Sequence, residues 1–502
     1  MQNRFFLKIS GILALGALCL GTLVASARAS GAKPPRIRHV LLISIDGMHA
    51  LDLAHFIELK PDSNLARLAS KGATYTQTST AKPSDSYPGL MSIVTGGSPN
   101  ATGVWYEGSW ARNLSPPGSH CSVKGVQVVW DSSVDRNKNL FDGGGIDPAK
   151  LPLNPAKGCV PEYPHDYLRV NTIFNVVHAA GMRTAWIDKH PAYEMVNGPS
   201  GHGVDDLFTP EISINHSLPA HDVKVGEAYD DTKITALLNE IDGMDHTGKK
   251  HVRVPALFGA SLQEFTTAQK SCGYADASGH LTPCMVQTFT HMDDGLGKLL
   301  AALKAHGLAS STLVIITAKH GDGPIDRRQT RIIPDTLLPS IINQAHPGVL
   351  ALAYQDGTLA SIWLKPKDQS QTAAVVKTLS EPRIESELDI KRILSGESLK
   401  MMFNDPLKDP RIPDIVLEPN LGGIYTDADS TFLMEHGGFS DDDTHVALLI
   451  AGPGVPSEVI RRPVQTTEIA PTIIKALGLN PEALQAVRME HTRILPGLPG
   501  LP

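Results

Sequence analysis

The stretch HVLLISIDGM, residues 39–48, decides the fold of this chain, because it joins a continuous apolar run to a turn that carries an acidic residue. The segment LVIITAKHG, residues 313–321, repeats this arrangement with a histidine. Near-continuous apolar runs are typical of strands in a parallel sheet that is covered on both faces by helices. In such sheets, ligands bind at the rim where the strand ends and their loops converge. The sequence therefore predicts an α/β fold with its site at one rim of the sheet.

Two further segments bring polar residues to the same predicted rim. In SDSYPGLMSIVTG, residues 84–96, Ser86 directly precedes a predicted helix. In EHGGFSDDDTHVALLIAGPG, residues 435–454, His436 comes before the apolar run. A serine at a helix start is more often a cap than a nucleophile, but Ser84 could be the cap here and leave Ser86 free. Because a helix N-terminus also stabilises a nearby anion, Ser86 is a candidate nucleophile.

The composition indicates a soluble globular protein. The chain has 502 residues, of which 41% are hydrophobic and 19% are charged, and these proportions are ordinary for a folded domain. Its formal net charge of -7 argues against a nucleic-acid binder, which usually carries a basic surface. The length is sufficient for one large core with a sizeable insertion.

The N-terminus has the pattern of a secretory signal peptide. Arg4 and Lys8 precede an apolar stretch over residues 11–25, and Ala27-Arg28-Ala29 forms an A-x-A cleavage site. The sequence predicts cleavage after Ala29 and a periplasmic or secreted protein with no membrane span. The alternative is an uncleaved anchor, although the apolar stretch is shorter than the ~20 residues of a typical span.

The cysteines of the predicted mature chain are Cys121, Cys159, Cys272 and Cys284. An even number of cysteines in an exported protein favours disulfides over metal binding, and no C-x-x-C spacing is present. Four cysteines allow three connectivities. The nearest-neighbour connectivity pairs Cys121 with Cys159 and Cys272 with Cys284.

The alternation of predicted strands and helices is interrupted once. Residues 36–321 and 431–480 keep the alternating pattern and form the predicted catalytic core. Residues 322–430 contain short strand candidates and one helix, and we interpret them as an inserted cap subdomain. Residues 481–502 form a predicted C-terminal tail, because ILPGLPGLP has no ordering signal.

A carboxylate and two imidazoles at one rim suggest a metal site. Asp46, His320 and His436 offer the oxygen and nitrogen ligands that zinc prefers. Each residue alone has a plainer interpretation: Asp46 could cap the next helix, and a histidine after a strand is usually structural. Asp188 ends another predicted strand, residues 183–188, and together with His190 it could add ligands at the same rim. A solvated loop is an equally good interpretation of that pair.

The order of these residues resembles the type I phosphodiesterase/nucleotide pyrophosphatase group of the alkaline phosphatase superfamily. The matching motifs are Asp46 after the first strand, Ser86-Tyr87-Pro88-Gly89 leading to Thr95-Gly96, His320-Gly321, His436-Gly437, and Ala451-Gly452-Pro453. The closing helix, TTEIAPTIIKALG, is also similar to that of the family. The resemblance covers most of residues 36–480. Each motif alone is common in unrelated proteins. The nucleophile segment with its spacing to Thr95-Gly96, and the order of the motifs along the chain, are specific to the family.

The resemblance implies an alkaline phosphatase-like fold and the hydrolysis of phosphodiester or phosphoanhydride bonds. Ser86 would be the nucleophile and would form a phospho-enzyme intermediate. Asp46, His320 and His436 would bind one or two divalent metal ions, with zinc as the expected metal. The substrate would be a small phosphoester or a nucleotide-like molecule, and no binding of polymeric nucleic acid is indicated.

Three departures from the family pattern concern the site. Lys319 replaces an aspartate ligand, and Gly89 replaces the asparagine that holds a phosphoryl oxygen of the substrate. The segment that should supply two further zinc ligands falls near Phe258–Thr267, which contains neither aspartate nor histidine. A lysine beside a phosphate can act as a point cation, so Lys319 is a candidate catalytic residue that substitutes for one metal. The departures leave two alternatives: a catalytically degenerate ligand-binding member, or a hydrolase of sulfate or phosphonate esters.

Overall fold

The computed structural model describes residues 37–214, 221–365 and 369–500, so the predicted signal peptide lies outside the described residues. The strands are, in chain order, β1 (His39–Ile45), β2 (Ala73–Ser79), β3 (Gly108–Ala111), β4 (Val126–Val129), β5 (Leu153–Asn154), β6 (Val160–Pro161), β7 (Thr184–Ile187), β8 (Asp206–Phe208), β9 (Leu257–Leu262), β10 (Thr312–Thr317), β11 (Arg331–Pro334), β12 (Leu350–Asp356), β13 (Leu359–Leu364), β14 (Ile390–Ser395), β15 (Ile415–Pro419), β16 (Gly423–Thr426), β17 (His445–Ala451), β18 (Glu458–Ile460) and β19 (Val464–Gln465).

The α-helices of the described residues vary from a single turn to 23 residues. They are Ala50–Leu59, Asn64–Ala69, Ser86–Thr95, Pro99–Thr102, Pro164–Tyr167, Ile173–Ala179, Val223–Ile241, Glu264–Cys272, Pro283–Ala305, Leu337–Ala345, Gln369–Leu379, Pro382–Glu387, Gly396–Lys400, Asp441–Thr444, Ile469–Ala476 and Gln485–Glu490.

The central sheet has nine strands in the order β18-β2-β17-β10-β1-β9-β7-β8, with β19 also paired to β2. The neighbours of β1 are both parallel to it, and β7 and β8 continue in the same direction. Strand β17 is antiparallel to β10 and to β2. The carboxyl ends of the parallel strands and the start of β17 therefore lie at the same rim. This arrangement confirms the predicted mostly parallel sheet.

Helices cover both faces of the sheet and create two apolar cores. Side chains of β1 alternate between them: Val40 and Leu42 belong to one core, and Leu41 and Ile43 to the other. The first core contains helices Ser86–Thr95, Ile173–Ala179 and Ile469–Ala476, whereas the second contains Ala50–Leu59, Val223–Ile241 and Pro283–Ala305. Burial on both faces explains why the strand sequences are apolar without interruption.

The segment between β10 and β17 forms additional small sheets, as expected for an inserted subdomain. Strands β12, β13, β15 and β14 form a four-stranded antiparallel sheet, and β11 pairs with β16. These strands have an apolar core of their own, which includes Ile362, Leu364 and Leu417. A separate cluster that includes Trp105 and Trp363 joins the inserted segment to the rest of the protein.

The chain after residue 480 is packed rather than extended, although its sequence offers no ordering signal. Leu495 and Leu498 are buried in the first apolar core. The hydroxyl of Tyr75 donates to the carbonyl of Pro496 at 2.7 Å, and the Leu495 N–H donates to the Thr472 hydroxyl at 2.8 Å. The three prolines and two glycines of this segment exclude a regular helix or strand pattern. The sequence therefore does not indicate that its leucines contribute to the core.

The four cysteines form the two pairs predicted from nearest neighbours. The sulfur atoms of Cys121 and Cys159 lie 2.16 Å apart, and those of Cys272 and Cys284 lie 1.93 Å apart. Among the residues that the structure describes, no helix has both the length and the apolar character needed to cross a bilayer.

Candidate active site

The rim of the sheet brings together candidate residues from four places in the chain. Asp46 follows β1, Lys319 and His320 follow β10, and Asp188 follows β7. His436 lies in the loop before β17, and this loop reaches the same rim because β17 runs antiparallel. Parallel strands and one reversed strand thus bring together side chains that are up to 390 residues apart.

Ser86 is held at the start of a buried helix and faces two basic side chains. The Asp85 carboxylate caps the helix Ser86–Thr95 by accepting a hydrogen bond from the Tyr87 N–H, at 3.1 Å. Ser84 donates its hydroxyl proton to the Asp443 carbonyl instead of capping the helix. The Ser86 Oγ lies 3.0 Å from Lys189 Nζ and 3.3 Å from His320 Nε2.

One side of Ser86 is occupied by two lysines and two aspartates. We call Asp46, Asp188, Lys189 and Lys319 the lysine cluster. Lys189 Nζ lies 3.5 Å from Asp46 Oδ2, and Lys319 Nζ lies 3.8 Å from the same oxygen and 3.1 Å from Asp188 Oδ1. Asp46, Asp188 and Lys319 are fully buried, and the Lys189 side chain is 13% exposed. The charges of this cluster balance within it.

Mutual attraction keeps Asp46 and Lys189 charged despite burial. Burial alone would raise the pKa of Asp46, but the neighbouring cations of Lys319 and Lys189 hold it well below its ordinary value. Burial alone would lower the pKa of Lys189, but the carboxylates of Asp46 and Glu107 raise it. Asp46 is therefore a carboxylate and Lys189 an ammonium at neutral pH.

The other side of Ser86 contains two stacked imidazoles and a carboxylate. We call His320, Asp322 and His436 the histidine cluster. The two rings are parallel with centroids 3.7 Å apart. The Asp322 Oδ1 lies 3.0 Å from His436 Nδ1 and 3.6 Å from His320 Nδ1. Potential ligand atoms of the three residues all lie within 4.8 Å of one another.

The donor set of the histidine cluster fits a divalent metal. Two nitrogens and one carboxylate oxygen form a common ligand set for catalytic zinc. Ligands on a tetrahedral ion with bonds of about 2.0–2.2 Å are separated by roughly 3.4 Å, close to the two distances from Asp322 Oδ1. His320 directs Nδ1 towards Asp322 and Nε2 towards Ser86, so one ring connects the possible metal ligands with the candidate nucleophile.

Electrostatics distinguishes the two imidazoles. Burial and the nearby His436 lower the pKa of His320. Burial would also lower the pKa of His436, but hydrogen bonds to Asp322 and Glu435 raise it to about 10. Both histidines in turn hold the pKa of Asp322 well below its ordinary value, against the opposing effect of burial. One carboxylate thus compensates the charge of the cluster.

The remaining predicted site residues have other partners. Asp188 accepts hydrogen bonds from Lys319 and from the Trp186 indole, and His190 Nδ1 pairs with Glu211 at 2.7 Å. Neither residue belongs to the group of possible ligands formed by His320, Asp322 and His436, so metal binding by Asp188 and His190 stays a prediction. Gly89 lies inside the helix, with its N–H bonded to the Asp85 carbonyl. A Cβ at Gly89 would lie 2.2 Å from the Lys319 carbonyl oxygen, so this glycine permits close approach of two backbones.

The segment that lacks the expected zinc ligands supplies hydrogen-bond donors instead. Gln263 donates from Nε2 to Asp46 Oδ2 at 3.2 Å, and the Ser261 hydroxyl donates to Asp46 Oδ1 at the same distance. The Thr266 hydroxyl donates to Asp322 Oδ2 at 2.6 Å. These neutral donors orient the carboxylates of both clusters without adding a ligand.

The structure adds Asp322 and Lys189 to the candidate site residues that the sequence predicts. Asp322 lies two residues after His320, at the first residue of the predicted cap, and this H-x-D spacing was available as a signal. Lys189 stands between the predicted ligands Asp188 and His190, and a protonated lysine cannot itself be a metal ligand. Which of three consecutive loop residues faces the nucleophile depends on the turn after β7, and the sequence pattern does not reveal it.

The chain belongs to the type I phosphodiesterase/nucleotide pyrophosphatase family, and its fold is alkaline phosphatase-like. The model of that family matches residues 40–439. This match confirms the family resemblance and shows that the protein is a hydrolase of this type. No curated protein sequence matches the chain significantly.

Solved structures support the fold. Mouse ectonucleotide pyrophosphatase/phosphodiesterase 5 superposes with a TM-score of 0.56 at 15% identity, covering 88% of this chain and 95% of that one. An inactive variant of the mouse enzyme, in complex with AMP, gives a TM-score of 0.57 at 15% identity, with coverages of 88% and 96%. The alkaline phosphatase PafA gives 0.58 at 14% identity, with coverages of 89% and 96%.

Proposed function

We propose that this protein is an exported hydrolase of phosphodiester or phosphoanhydride bonds that uses Ser86 as its nucleophile. The observation that carries the proposal is the position of the Ser86 Oγ at a helix N-terminus, within 3.3 Å of Lys189 Nζ and His320 Nε2. A hydroxyl surrounded by cationic and imidazole groups is suited to attack phosphorus and not merely to cap a helix. The family match to a phosphoester-hydrolysing group supports the same reaction.

Positioning and charge account for most of the chemistry that this reaction requires. Ser86 would attack phosphorus in line with the leaving oxygen and form a phospho-enzyme, which water then hydrolyses. Positive charge from Lys319 and from the helix N-terminus would stabilise the equatorial phosphoryl oxygens. The buried carboxylates keep Lys189 and Lys319 in place before substrate arrives, so little reorganisation is needed in the transition state.

The histidine cluster is the part of the site that would hold a divalent metal, for which zinc is the expected ion. A metal there would add positive charge beside the phosphoryl site and fix the orientation of the two imidazoles. Asp322 supplies the single carboxylate of that ligand set, and Thr266 orients it by a hydrogen bond. The role of His320 towards the nucleophile is then to present Nε2 to Ser86.

The substrate class is inferred from a structural relative, and the location is inferred from the disulfides and the N-terminal sequence. The complex of the mouse relative with AMP favours a small nucleotide-like phosphoester as substrate. The two disulfides suit an oxidising compartment, in agreement with the A-x-A pattern that ends at Ala29. We therefore place the mature protein in the periplasm or outside the cell.

A hydrolysis screen on the purified mature protein tests this proposal. It compares bis(p-nitrophenyl) phosphate, dinucleotide pyrophosphates, a sulfate ester and a phosphonate ester, each with added zinc. We expect turnover of a phosphodiester or phosphoanhydride, lost by about 1000-fold or more in Ser86→Ala but retained in the neighbouring control Ser84→Ala. Faster turnover of the sulfate or phosphonate ester, or full activity of Ser86→Ala, would refute it. Binding of AMP without any turnover would identify a degenerate ligand-binding member.

A further inference from the structure

We propose that Lys189 is a catalytic residue that, together with Lys319, takes the place of a metal ion at the nucleophile. The inference rests on the proposed function, because it assigns the group that activates Ser86. It implies that the site binds one divalent ion, in the histidine cluster, while the nucleophile itself is activated by side chains alone.

The first observation is the distance from the ammonium to the nucleophile. Lys189 Nζ lies 3.0 Å from the Ser86 Oγ and 3.5 Å from Asp46 Oδ2. A metal bridging those two oxygens would lie about 2.0–2.2 Å from each. The ammonium of Lys189 therefore occupies the space beside both oxygens in which such an ion would be placed. A protonated lysine has no lone pair for a metal, and its charge repels one.

The second observation is charge equivalence. Lys189 and Lys319 together contribute two positive charges, and Asp46 and Asp188 together contribute two negative charges. A divalent ion held by the same two carboxylates would give the same sum. The lysine cluster thus reproduces the charge of a metal site without a metal, and no uncompensated charge remains buried.

The third observation is that the backbones of both lysines, and the ammonium of Lys319, have further contacts that hold them in place. The Lys189 N–H donates to Asp188 Oδ1 at 3.0 Å, and the Lys189 carbonyl accepts from the Ile212 N–H at 2.9 Å. The carbonyl of Lys319 accepts from the Thr80 hydroxyl at 2.6 Å. The Lys319 ammonium lies 4.5 Å from the centre of the Tyr193 ring, in a cation–π contact. Such support is expected of groups that stabilise a transition state by preorganised charge.

The reaction balances without an additional reactant. As the Ser86 Oγ bonds to phosphorus, its hydroxyl proton passes to water, and the bond from phosphorus to the leaving oxygen breaks. The leaving oxygen takes up a proton from water. Lys189 remains an ammonium throughout and donates a hydrogen bond to the developing Oγ anion, while Lys319 neutralises the carboxylates behind it. Hydrolysis of the phospho-enzyme then returns Ser86 and releases phosphate or its monoester.

The test combines the rate of phospho-enzyme formation with zinc binding. Burst release of p-nitrophenol from bis(p-nitrophenyl) phosphate reports attack by Ser86. We expect Lys189→Met to slow the burst by about 100-fold or more, and Lys189→Arg to recover part of it because the charge is kept. The control Lys224→Met removes an exposed lysine, with a side chain 66% exposed, and should leave the burst unchanged. Thermal unfolding verifies that each variant is folded.

Zinc titration by calorimetry gives a readout that does not depend on activity. We expect one tightly bound zinc ion per wild-type chain, the same number in Lys189→Met, and a second ion in a double variant, Lys189→Ala with Lys319→Asp. A burst that depends on Ser86 but is unaffected by Lys189→Met, or two zinc ions in the wild type, would overturn the inference while leaving the proposed function intact. A wild type whose turnover does not require Ser86 would instead overturn the proposed function, and the zinc count would still decide the inference.

Discussion

The two sides of Ser86 use opposite means to collect positive charge at one rim. The lysine cluster carries its own cations on Lys189 and Lys319 and compensates them with Asp46 and Asp188. The histidine cluster offers neutral and charged imidazoles around Asp322 and fits an ion from solution. Under the proposed function, the comparison teaches that positive charge for phosphoryl transfer can come from side chains on one side of the nucleophile and from a bound ion on the other.

Few residues determine that one cluster contains its own cations and the other contains possible metal ligands. Lys319 directly precedes His320, so one strand end contributes a member to each cluster. Gln263 and Thr266 each donate to a carboxylate of one cluster and therefore keep it oriented. Because ammonium groups cannot exchange with solvent ions, the lysine cluster should be insensitive to chelators, and the histidine cluster should not be.

The largest effect is expected from Asp46→Asn, which removes one charge from the lysine cluster. Two buried ammoniums would then face a single carboxylate, and leaving a buried charge unpaired costs about 3–5 kcal/mol. We expect a large fall in unfolding free energy, measured by chemical denaturation, and a loss of turnover. Ser261→Ala, which removes one donor to Asp46 but no charge, is the matched control and should be much milder. Equal effects of the two substitutions would show that Asp46 acts by hydrogen bonding alone.

The next effect concerns the histidine cluster. Asp322→Asn should weaken zinc binding by about 100-fold or more, because the substitution replaces the single charged ligand of the set by a neutral amide. Calorimetric titration of zinc measures this directly. Thr266→Val removes only the hydrogen bond to Asp322 and should weaken binding by about 10-fold. Unchanged affinity in Asp322→Asn would place the ion elsewhere.

Removal of the metal should separate the clusters functionally. After treatment with a chelator we expect steady-state turnover to fall by about 10–100-fold, the size of effect seen when residues that orient a metal site are disturbed. The burst that reports attack by Ser86 should persist, because Lys189 contacts the nucleophile without an ion. Loss of the burst together with turnover would mean that an ion, and not the lysine cluster, activates Ser86.

The smallest effect is expected far from both clusters, at the ion pair that ties the inserted segment to the core. Arg169 and Asp409 form two hydrogen bonds of 2.7 Å each. Asp409→Asn should lower the unfolding free energy by about 1.5 kcal/mol at pH 7 without changing zinc affinity. Denaturation curves at several pH values provide the measurement.

The sign of the pH dependence at Asp409 follows from its environment. Burial alone would raise the pKa of Asp409, but the hydrogen bonds and charge of Arg169 hold it well below its ordinary value. Its stabilising contribution is therefore complete above pH ~4 and is lost as pH falls towards the depressed pKa. Wild type and Asp409→Asn should converge in stability in acid. A difference that stays constant down to pH 2 would exclude the ion pair as its cause.

The sequence predicts which residues lie at the rim, because each apolar strand sequence stops at a polar residue. Asp46, His320 and His436 stand beside apolar runs, and the structure brings Asp46 Oδ2 within 3.9 Å of His320 Nε2. Ser86 was recognisable from its motif. The hydrophobic pattern of the sequence can place a residue at the rim, but it does not predict which neighbouring side chains that residue contacts.

What escaped prediction depended on the conformation of single loops. In the loop after β7, Asp188 and Lys189 belong to the lysine cluster, whereas His190 is directed away from it and pairs with Glu211. Three consecutive polar residues give no signal of this division. The sequence assigns Asp322 to the inserted subdomain, but the structure places its carboxylate 3.6 Å from His320 Nδ1, at the rim.

The measurement that tests the account most directly is the anomalous X-ray scattering of zinc in crystals of the purified protein. The account predicts one zinc peak per chain, bound by His320, Asp322 and His436, with Lys189 Nζ still beside the Ser86 Oγ. A zinc peak bound by Asp46 and Ser86, with Lys189 displaced, would contradict it.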